Sequence, residues 1–427
     1  MAGTNLSPIG SSAPILEFIV GDQPLQIFPK YFKKMVILER ATTGASYAYF
    51  KFFDDQWTIL EELFNNAKED ISFRYGWVDS VMSKWKHMVM AVYDQEYTLD
   101  GSILNLWLMD NSLLTTGGLS RSFGTVKISE VVRQIAAELG MAYVIEPTKG
   151  EYNFRQNNIN SMQFIRDWLL PRAISEKTGR GDYRFYIKDG KELHFHSPDY
   201  SKVIYKTYKI FNEGDHVVSS FRFRMNLACM FGTGVNRELY VQGYDPINKT
   251  ELDSIVTDDS TPEKIRLGKK IPTHLTSGDG GKFIGVPFKT QSEVDEMAKQ
   301  LWYSCDLHQV TARMKMICDP GLEPGRLVDI ALQNDYTGGL ANGSGRYLVN
   351  NIVTTMSLQP LKFSSIILLG RNALSIGEVD VQGKDPKATV YESELTDIDS
   401  SSTDEVSQTE REFGSGQRVV KEAVSVG

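Results

Sequence analysis

The chain has 427 residues, 41% of them hydrophobic and 23% charged, with a formal net charge of −8. That length is enough for about two to four domains with full cores. No run approaches the roughly 18–20 apolar residues of a membrane-spanning helix, and no basic excess marks a nucleic-acid footprint.

The aromatic share of 11%, with 19 Tyr and 21 Phe, leans toward β-rich structure, where aromatic side chains fit the pleated surface. Cys229, Cys305 and Cys318 are far apart and odd in number. They form neither a metal spacing nor a disulfide framework, which fits a reducing compartment. The N-terminal stretch has no basic n-region and no apolar h-region, so no signal peptide is expected and the chain reads as soluble and made in a cytoplasm.

In chain order, residues 1–110 alternate strand signals with one helix. PILEFIVG, QPLQIFP and KKMVILER are short apolar runs, and ASYAYFKFF alternates with period two. DDQWTILEELFNNA predicts a helix capped by Asp54 or Asp55, with Trp57, Leu60, Leu63 and Phe64 on one face. Three strands follow in DISFRYGWV, HMVMAVYD and SILNLWLMD.

Residues 111–205 read as a small α/β module. A helix is expected from Ser129, as its cap, to Leu139, stopped by Gly140. A second, SMQFIRDWLLPRAIS, should bury Phe164, Ile165, Trp168 and Leu169 and end or kink at Pro171. DYRFYIKDGKELHFHSP predicts a hairpin with Asp189-Gly190 as a two-residue type I′ turn.

Residues 206–374 return to strands. HVVSSFRFRM alternates strictly, and 243–286 read as a long polar excursion. SEVDEMAKQLWYSCDLHQ predicts a helix capped by Ser292 with Val294, Met297, Ala298 and Leu301 inside, and apolar alternating runs complete the segment. Residues 375–427 are acidic and Ser/Thr-rich. From Ile376 to Gly427 there are twelve acidic residues against five basic ones, so the tail carries most of the net charge. It is expected to be disordered or to order only on a partner, because it cannot bury enough apolar surface. The first and third segments end alike, on highly apolar strands, and their element order suggests two similar barrels around the α/β module. The fold class expected is therefore β-dominated α+β: two β-barrel domains (1–110 and 206–374), an inserted α/β module (111–205) and an acidic flexible tail (375–427).

A search for chemistry finds little. His194 and His196 share a strand face, but no third ligand lies at a metal-like spacing, so they read as the polar face of a hairpin whose Leu193 and Phe195 point inward. His87, His216, His274 and His308 stand alone. SGDGGKFIG (277–285) lacks the phosphate-loop spacing and has Phe283 where Ser or Thr should follow Lys282. The glycine runs at 115–118 and 337–345 read as loop and hairpin tips. Neighbouring carboxylates such as Asp54-Asp55 and Glu69-Asp70 read as solvated or capping groups, and Tyr183, Phe185 and Ile187 read as core. No nucleophile elbow, zincin or EF-hand motif is present. No catalytic, cofactor-binding or metal residues are expected, and no cofactor.

One constellation does carry a resemblance. Asp319, Pro320, Pro324 and Gly325 form a D-P-x-x-x-P-G corner between two alternating runs. Gly345, Arg346, Tyr347 and Val349 open the next strand, and Leu369, Arg371 and Asn372 close the last. Arg155, Gln156 and Asn157 sit ahead of the second module helix, followed by Ser161, Phe164 and Ile165. In this order, over about 125–210 and 306–374, the chain resembles the late control D-type baseplate hub proteins of phage tails, related to the base of the type VI secretion spike protein. WLLPRAISEKTG departs from the family's wording of the second helix, and 243–286 and the acidic tail have no counterpart there.

The resemblance implies a non-enzymatic virion part, a homotrimer that presents six barrel units around an axis. Such a hub adapts the six-fold tail tube to the three-fold central spike. Its implied partners are the tail tube protein, the spike, the tape measure protein and baseplate wedge or adaptor proteins. DNA would pass through the channel without specific binding. The acidic tail is expected to order on the spike or a neighbouring hub subunit. Two other readings stay open, a tail-tip peptidoglycan hydrolase and a glycan-binding tip module.

Overall fold

The computed structural model describes residues 13–371 apart from 21–22, 25–30, 43, 55–56, 60, 62, 64–70, 100, 113–116, 200–202, 211–216, 226–237, 246, 258–280, 285–289, 307–309 and 333–342. The acidic tail, Asn372, Cys229, His216, His274, His308, Leu60, Phe64, Glu69, Asp70 and most of the two glycine runs therefore lie outside the described residues.

The first segment contains β1 (Pro14–Val20), β2 (Gln23–Pro24), β3 (Phe32–Arg40), β4 (Tyr47–Phe53), β5 (Ile71–Trp77), β6 (Lys86–Thr98) and β7 (Gly101–Met109). The module follows with β8 (Leu119–Val126), α1 (Ile128–Glu138), β9 (Ala142–Ile145), β10 (Tyr152–Ile159), α2 (Ser161–Phe164), β11 (Arg184–Lys188) and β12 (Glu192–His196). Next come β13 (Thr207–Ile210), β14 (Val218–Met225), β15 (Glu238–Asp245), β16 (Thr250–Thr257), β17 (Gly281–Ile284) and α3 (Gln291–Asp306). The chain closes its described part with β18 (Val310–Ile317), β19 (Leu327–Leu332), β20 (Gly345–Leu358) and β21 (Leu361–Arg371). The fold is β-dominated α+β, as the sequence indicates.

One large sheet runs through the first and third segments in the order β14-β18-β21-β20-β3-β4-β7-β6-β5-β1-β2, with β19 and β13 branching from β20. Its middle is one four-strand pattern used twice. In β3-β4-β7-β6 the strands stand in chain order first, second, fourth, third, and β14-β18-β21-β20 repeats that order. The irregularities repeat as well. Each first strand carries one extra residue near its start, Lys33 in β3 and Ser219 in β14. Each third strand carries one in its pairing with the fourth strand, Ala91 in β6 against β7 and Asn350 in β20 against β21. Bulges of this kind sharpen local twist, so the two halves curl at matching places. The halves join where β3 and β20 pair antiparallel, from Arg40 opposite Asn351 to Lys34 opposite Ser357.

Alternation decides which face is buried. In β4, Ala48, Phe50 and Phe52 face inward, and in β18 Val310, Ala312, Met314 and Met316 do. The first half buries an aromatic cluster around Phe18, Phe50 and Phe73, whose ring centroids lie 4.7–5.7 Å apart. Cys318, Met356 and Phe363 reach into that cluster from the third segment. The second half has its own cluster around Met314, Ile330, Tyr347 and Ile367. Val36, Leu38, Val353 and Ile366 pack on the opposite face of the junction.

Several local expectations need correction. Helix α1 starts at Ile128, and its N-cap is Lys127, which makes no side-chain cap bond. Ser129 instead sits in the first turn, where its N–H donates to Thr148 Oγ1 at 3.0 Å, so the orphan donor is satisfied from across the module. The Gly140 stop holds. It has φ +64°, and Gly140 and Met141 donate to Ala137 and Ala136 in the Schellman arrangement.

Trp168 is exposed rather than part of a buried stripe. Helix α2 passes into a π-helical turn at Ile165–Leu169, and the wider turn moves the inward position from Trp168 to Leu169. A short 3₁₀ turn at Leu170–Arg172, containing Pro171, then ends the helix. Trp57 is also exposed, with φ +59°, while Ile59 and Leu63 are buried and the Ile59 N–H donates to Asp54 Oδ1 at 3.1 Å.

The expected cap of α3, Ser292, lies inside that helix; Thr290 Oγ1 accepts from the Glu293 N–H at 3.3 Å. The described part of 243–286 is more than a polar excursion. β16, β15 and β17 form a three-stranded sheet, and α3 covers it with Val294, Met297, Ala298 and Trp302 around Leu239 and Val241. At the 189–190 turn, Lys191 donates to Lys188 O at 3.2 Å, and both Asp189 (φ +49°) and Gly190 (φ +83°) are left-handed, as type I′ requires. The ladder partner of Lys188 is nevertheless Glu192, one residue beyond a two-residue turn.

Candidate functional site

Three segments meet where the tip of the β11–β12 hairpin enters the angle between the first and third segments. Gly190 is the contact that brings it there. Its carbonyl accepts from the Asn111 N–H at 2.9 Å, and Asp189 O accepts from the His87 N–H at 2.9 Å. A Cβ at Gly190 would stand 1.5 Å from the His87 carbonyl oxygen, so only glycine permits this approach.

The approach closes over a buried charge. Lys86, only 3% exposed, donates to Glu39 Oε1, and its Nζ lies 3.2 Å from Asp189 Oδ1. The Tyr75 hydroxyl donates to Glu39 Oε2 at 2.9 Å. Burial works against the Lys86 ammonium, but the Glu39 and Asp189 carboxylates outweigh it and hold its pKa above the usual lysine value. Glu39 comes from β3, Lys86 from β6 and Asp189 from the module. A neighbouring void of about 20 Å³ beside Glu39, Lys86, Tyr186 and Pro324 has room for a single water.

Glu323, in the corner between β18 and β19, makes the second knot. Lys84 Nζ lies at 2.7 Å, Lys188 Nζ at 2.9 Å and Arg326 Nη2 at 3.2 Å from its carboxylate. Burial alone would raise the Glu323 carboxyl, but the bonds from Lys84 and Lys188 hold it down at about 2. A carboxylate depressed in the folded state adds stability that is complete above its unfolded value and lost as pH falls through the folded one. Glu323 should thus begin to release the junction below about pH 4.5 and finish near pH 2. Glu323→Gln should remove this part of the acid dependence, seen as a flatter loss of near-UV circular dichroism over that range.

Arg184 completes the joint: its Nη1 donates to Ala41 O and to Asn350 Oδ1, both at 3.1 Å, one on each side of the β3–β20 seam.

The corner motif is structural. Asp319 accepts from the Tyr205 and Tyr208 hydroxyls at 3.0 and 3.2 Å and from the Gly321 N–H. Gly325 has φ +83° and donates to Val349 O at 2.8 Å. The Arg346 Nε donates to Asp329, and Tyr347 OH to Gly343 O. Arg371 is fully buried, bonded to Ser344 O and lying 4.5 Å from the Tyr347 ring centroid. In the module, Gln156 donates to Ile159 O and Arg121 to Gln156, fixing the approach to α2.

The histidine pair differs from expectation. Leu193 and Phe195 are inside, but His194 is buried too, stacked on Tyr186 at 4.8 Å and 3.1 Å from His196. Burial and the His196 charge push the pKa of His194 down to about 4, so it is neutral at pH 7. Among the described residues no group of three or more His, Cys, Asp or Glu is placed to hold a metal ion, and no helix is long and apolar enough to cross a membrane. An apolar cleft of about 550 Å³ opens between β1 and the end of β20, lined by Leu16, Phe18, Phe32, Met356 and Leu358. Its carboxylate, Glu17, is ion-paired with Arg74 at 2.5 Å.

Two edges of the large sheet lack a second partner among the described strands. Beyond Met88, β6 pairs only with β7, and β14 pairs only with β18 among the described strands.

This geometry has solved counterparts. A tail protein from Neisseria meningitidis MC58 matches with a TM-score of 0.59 and 11% identity, over 84% of this chain and 97% of its own. The chain has a phage-tail-protein fold. The 43 kDa tail protein of prophage MuSo2 from Shewanella oneidensis matches with a TM-score of 0.54 and 10% identity, over 85% of this chain and all of its own. An E. coli component of the type VI secretion system aligns at a TM-score of 0.47 and 9% identity, over 80% of this chain and 73% of its own. No protein-family model matches the chain, and no curated protein does. The tail-protein fold agrees with the resemblance carried by the corner motif. Element order in the sequence suggests two similar halves; the shared strand order and matching bulges become visible only once the pairing is known.

Proposed function

We propose that the chain is a structural hub of a phage tail baseplate, a trimeric ring that joins the six-fold tail tube to the three-fold central spike and lines the channel for tape measure protein and DNA. The observation that carries this reading is the repeated four-strand sheet in a phage-tail-protein fold. One chain offers two equivalent halves, so three copies offer six places to a six-fold tube while keeping three-fold symmetry toward a spike. In this reading the α/β module and the Lys86 and Glu323 knots fix the angle between the halves, and the protein acts by shape in the virion tail rather than by catalysis.

The test is assembly. Mixed with the tail tube protein of its own virion, the chain should elute with it as one complex. Separate elution at all ratios, or clearing of bacterial cell wall in a zymogram, would overturn the structural-hub reading.

A further inference from the structure

Among the described strands the repeat has two open ends, and they are complementary. Within the chain, the third strand of one half (β20) pairs with the first strand of the other (β3). The unused counterparts are the third strand β6 and the first strand β14. Matching the two halves through their bulges puts Val92 at the position of Asn351 and Ser220 at that of Lys34. The register of the β3–β20 seam, carried over to the open ends, then sets Asp94 opposite Arg224, Glu96 opposite Arg222, Tyr97 opposite Phe221 and Thr98 opposite Ser220.

Resting on the hub reading, we propose that β6 of one copy pairs antiparallel with β14 of the next in this register, so that the interchain seam copies the intrachain one. Charge supports the register. Asp94, Glu96, Arg222 and Arg224 are all exposed, and the two acids fall opposite the two arginines. Of their four intrachain counterparts, Val353, Val36 and Leu38 are buried against one another in the existing seam, and the fourth is Thr355. The interchain seam therefore uses ion pairs on the face where the intrachain seam uses apolar contact. Opposite charges directly across a strand pair stabilise it, and like charges there oppose it. An acidic edge and a basic edge also discourage each strand from pairing with itself. The contact is head-to-tail, the kind that closes into a ring when the rotation permits.

The full-length chain allows a charge-swap test read by light scattering. Asp94→Arg with Glu96→Arg, or Arg222→Glu with Arg224→Glu, should each raise the concentration needed for assembly at least about tenfold, through two like-charged pairs per seam. All four changes in one chain should restore assembly. A Glu96→Cys and Arg222→Cys chain should form covalent oligomers on oxidation, above the background of the native cysteines, while Glu96→Cys with Arg346→Cys should not. If the reversed variants assemble like the parent and still take up the tube protein, the register is wrong and the hub reading stands. If the parent neither assembles nor takes up tube protein, both fall.

Discussion

Lys86→Met should lower the unfolding free energy by about 3–5 kcal/mol, because it leaves the Glu39 carboxylate buried without its cation. The loss should depend on pH in a way the parent does not. Burial without a cation disfavours the charged form of a carboxylate, so the deficit should be smaller in acid than at neutral and higher pH. A second change, Glu39→Gln, should recover much of the loss, since the Tyr75 hydroxyl can still donate to the amide oxygen. Denaturant titrations at pH 4 and pH 8 separate these outcomes. An equal loss at both values would mean that Lys86 matters only for packing.

Gly190→Ala should undock the module. Its Cβ would lie 1.5 Å from the His87 carbonyl oxygen, closer than any relaxation of a side chain could relieve. The hairpin tip must retreat, giving up the bonds from His87 and Asn111 and separating Asp189 from Lys86. The combined cost is about 3 kcal/mol or more, from the left-handed backbone and the lost hydrogen bonds. Limited proteolysis should show new cleavage around 111–120 and 198–206, with the first and third segments still held together by the β3–β20 seam. An unaltered digestion pattern would show that the tip is not what fixes the module.

Much of the local structure was legible because it is local. Period two marks β4 and β14, Gly140 marks the end of α1, and Asp189-Gly190 marks its turn. The errors arise where a distant partner decides. Trp168 turns outward because a π-helical turn shifts the helix phase, and no residue in that stretch announces it. His194 is inside because Tyr186 stacks on it. Lys86 would pass as a surface lysine, and only the convergence of Glu39 and Asp189 makes it a buried ion. The repeat was suggested by element order but hidden in residue identity, since Val36 and Leu38 correspond to Arg222 and Arg224. The two halves keep the same bulges while their matched edge strands carry apolar residues in one and charged residues in the other, a difference that sequence comparison reads as no relation at all.

A chain that builds a ring should show it in its mass in solution. Light scattering on the purified, tag-free protein over a range of concentrations should approach three times 48.1 kDa, either alone or on addition of the tail tube protein. A mass that stays at 48.1 kDa at every concentration, with tube protein present, would contradict it.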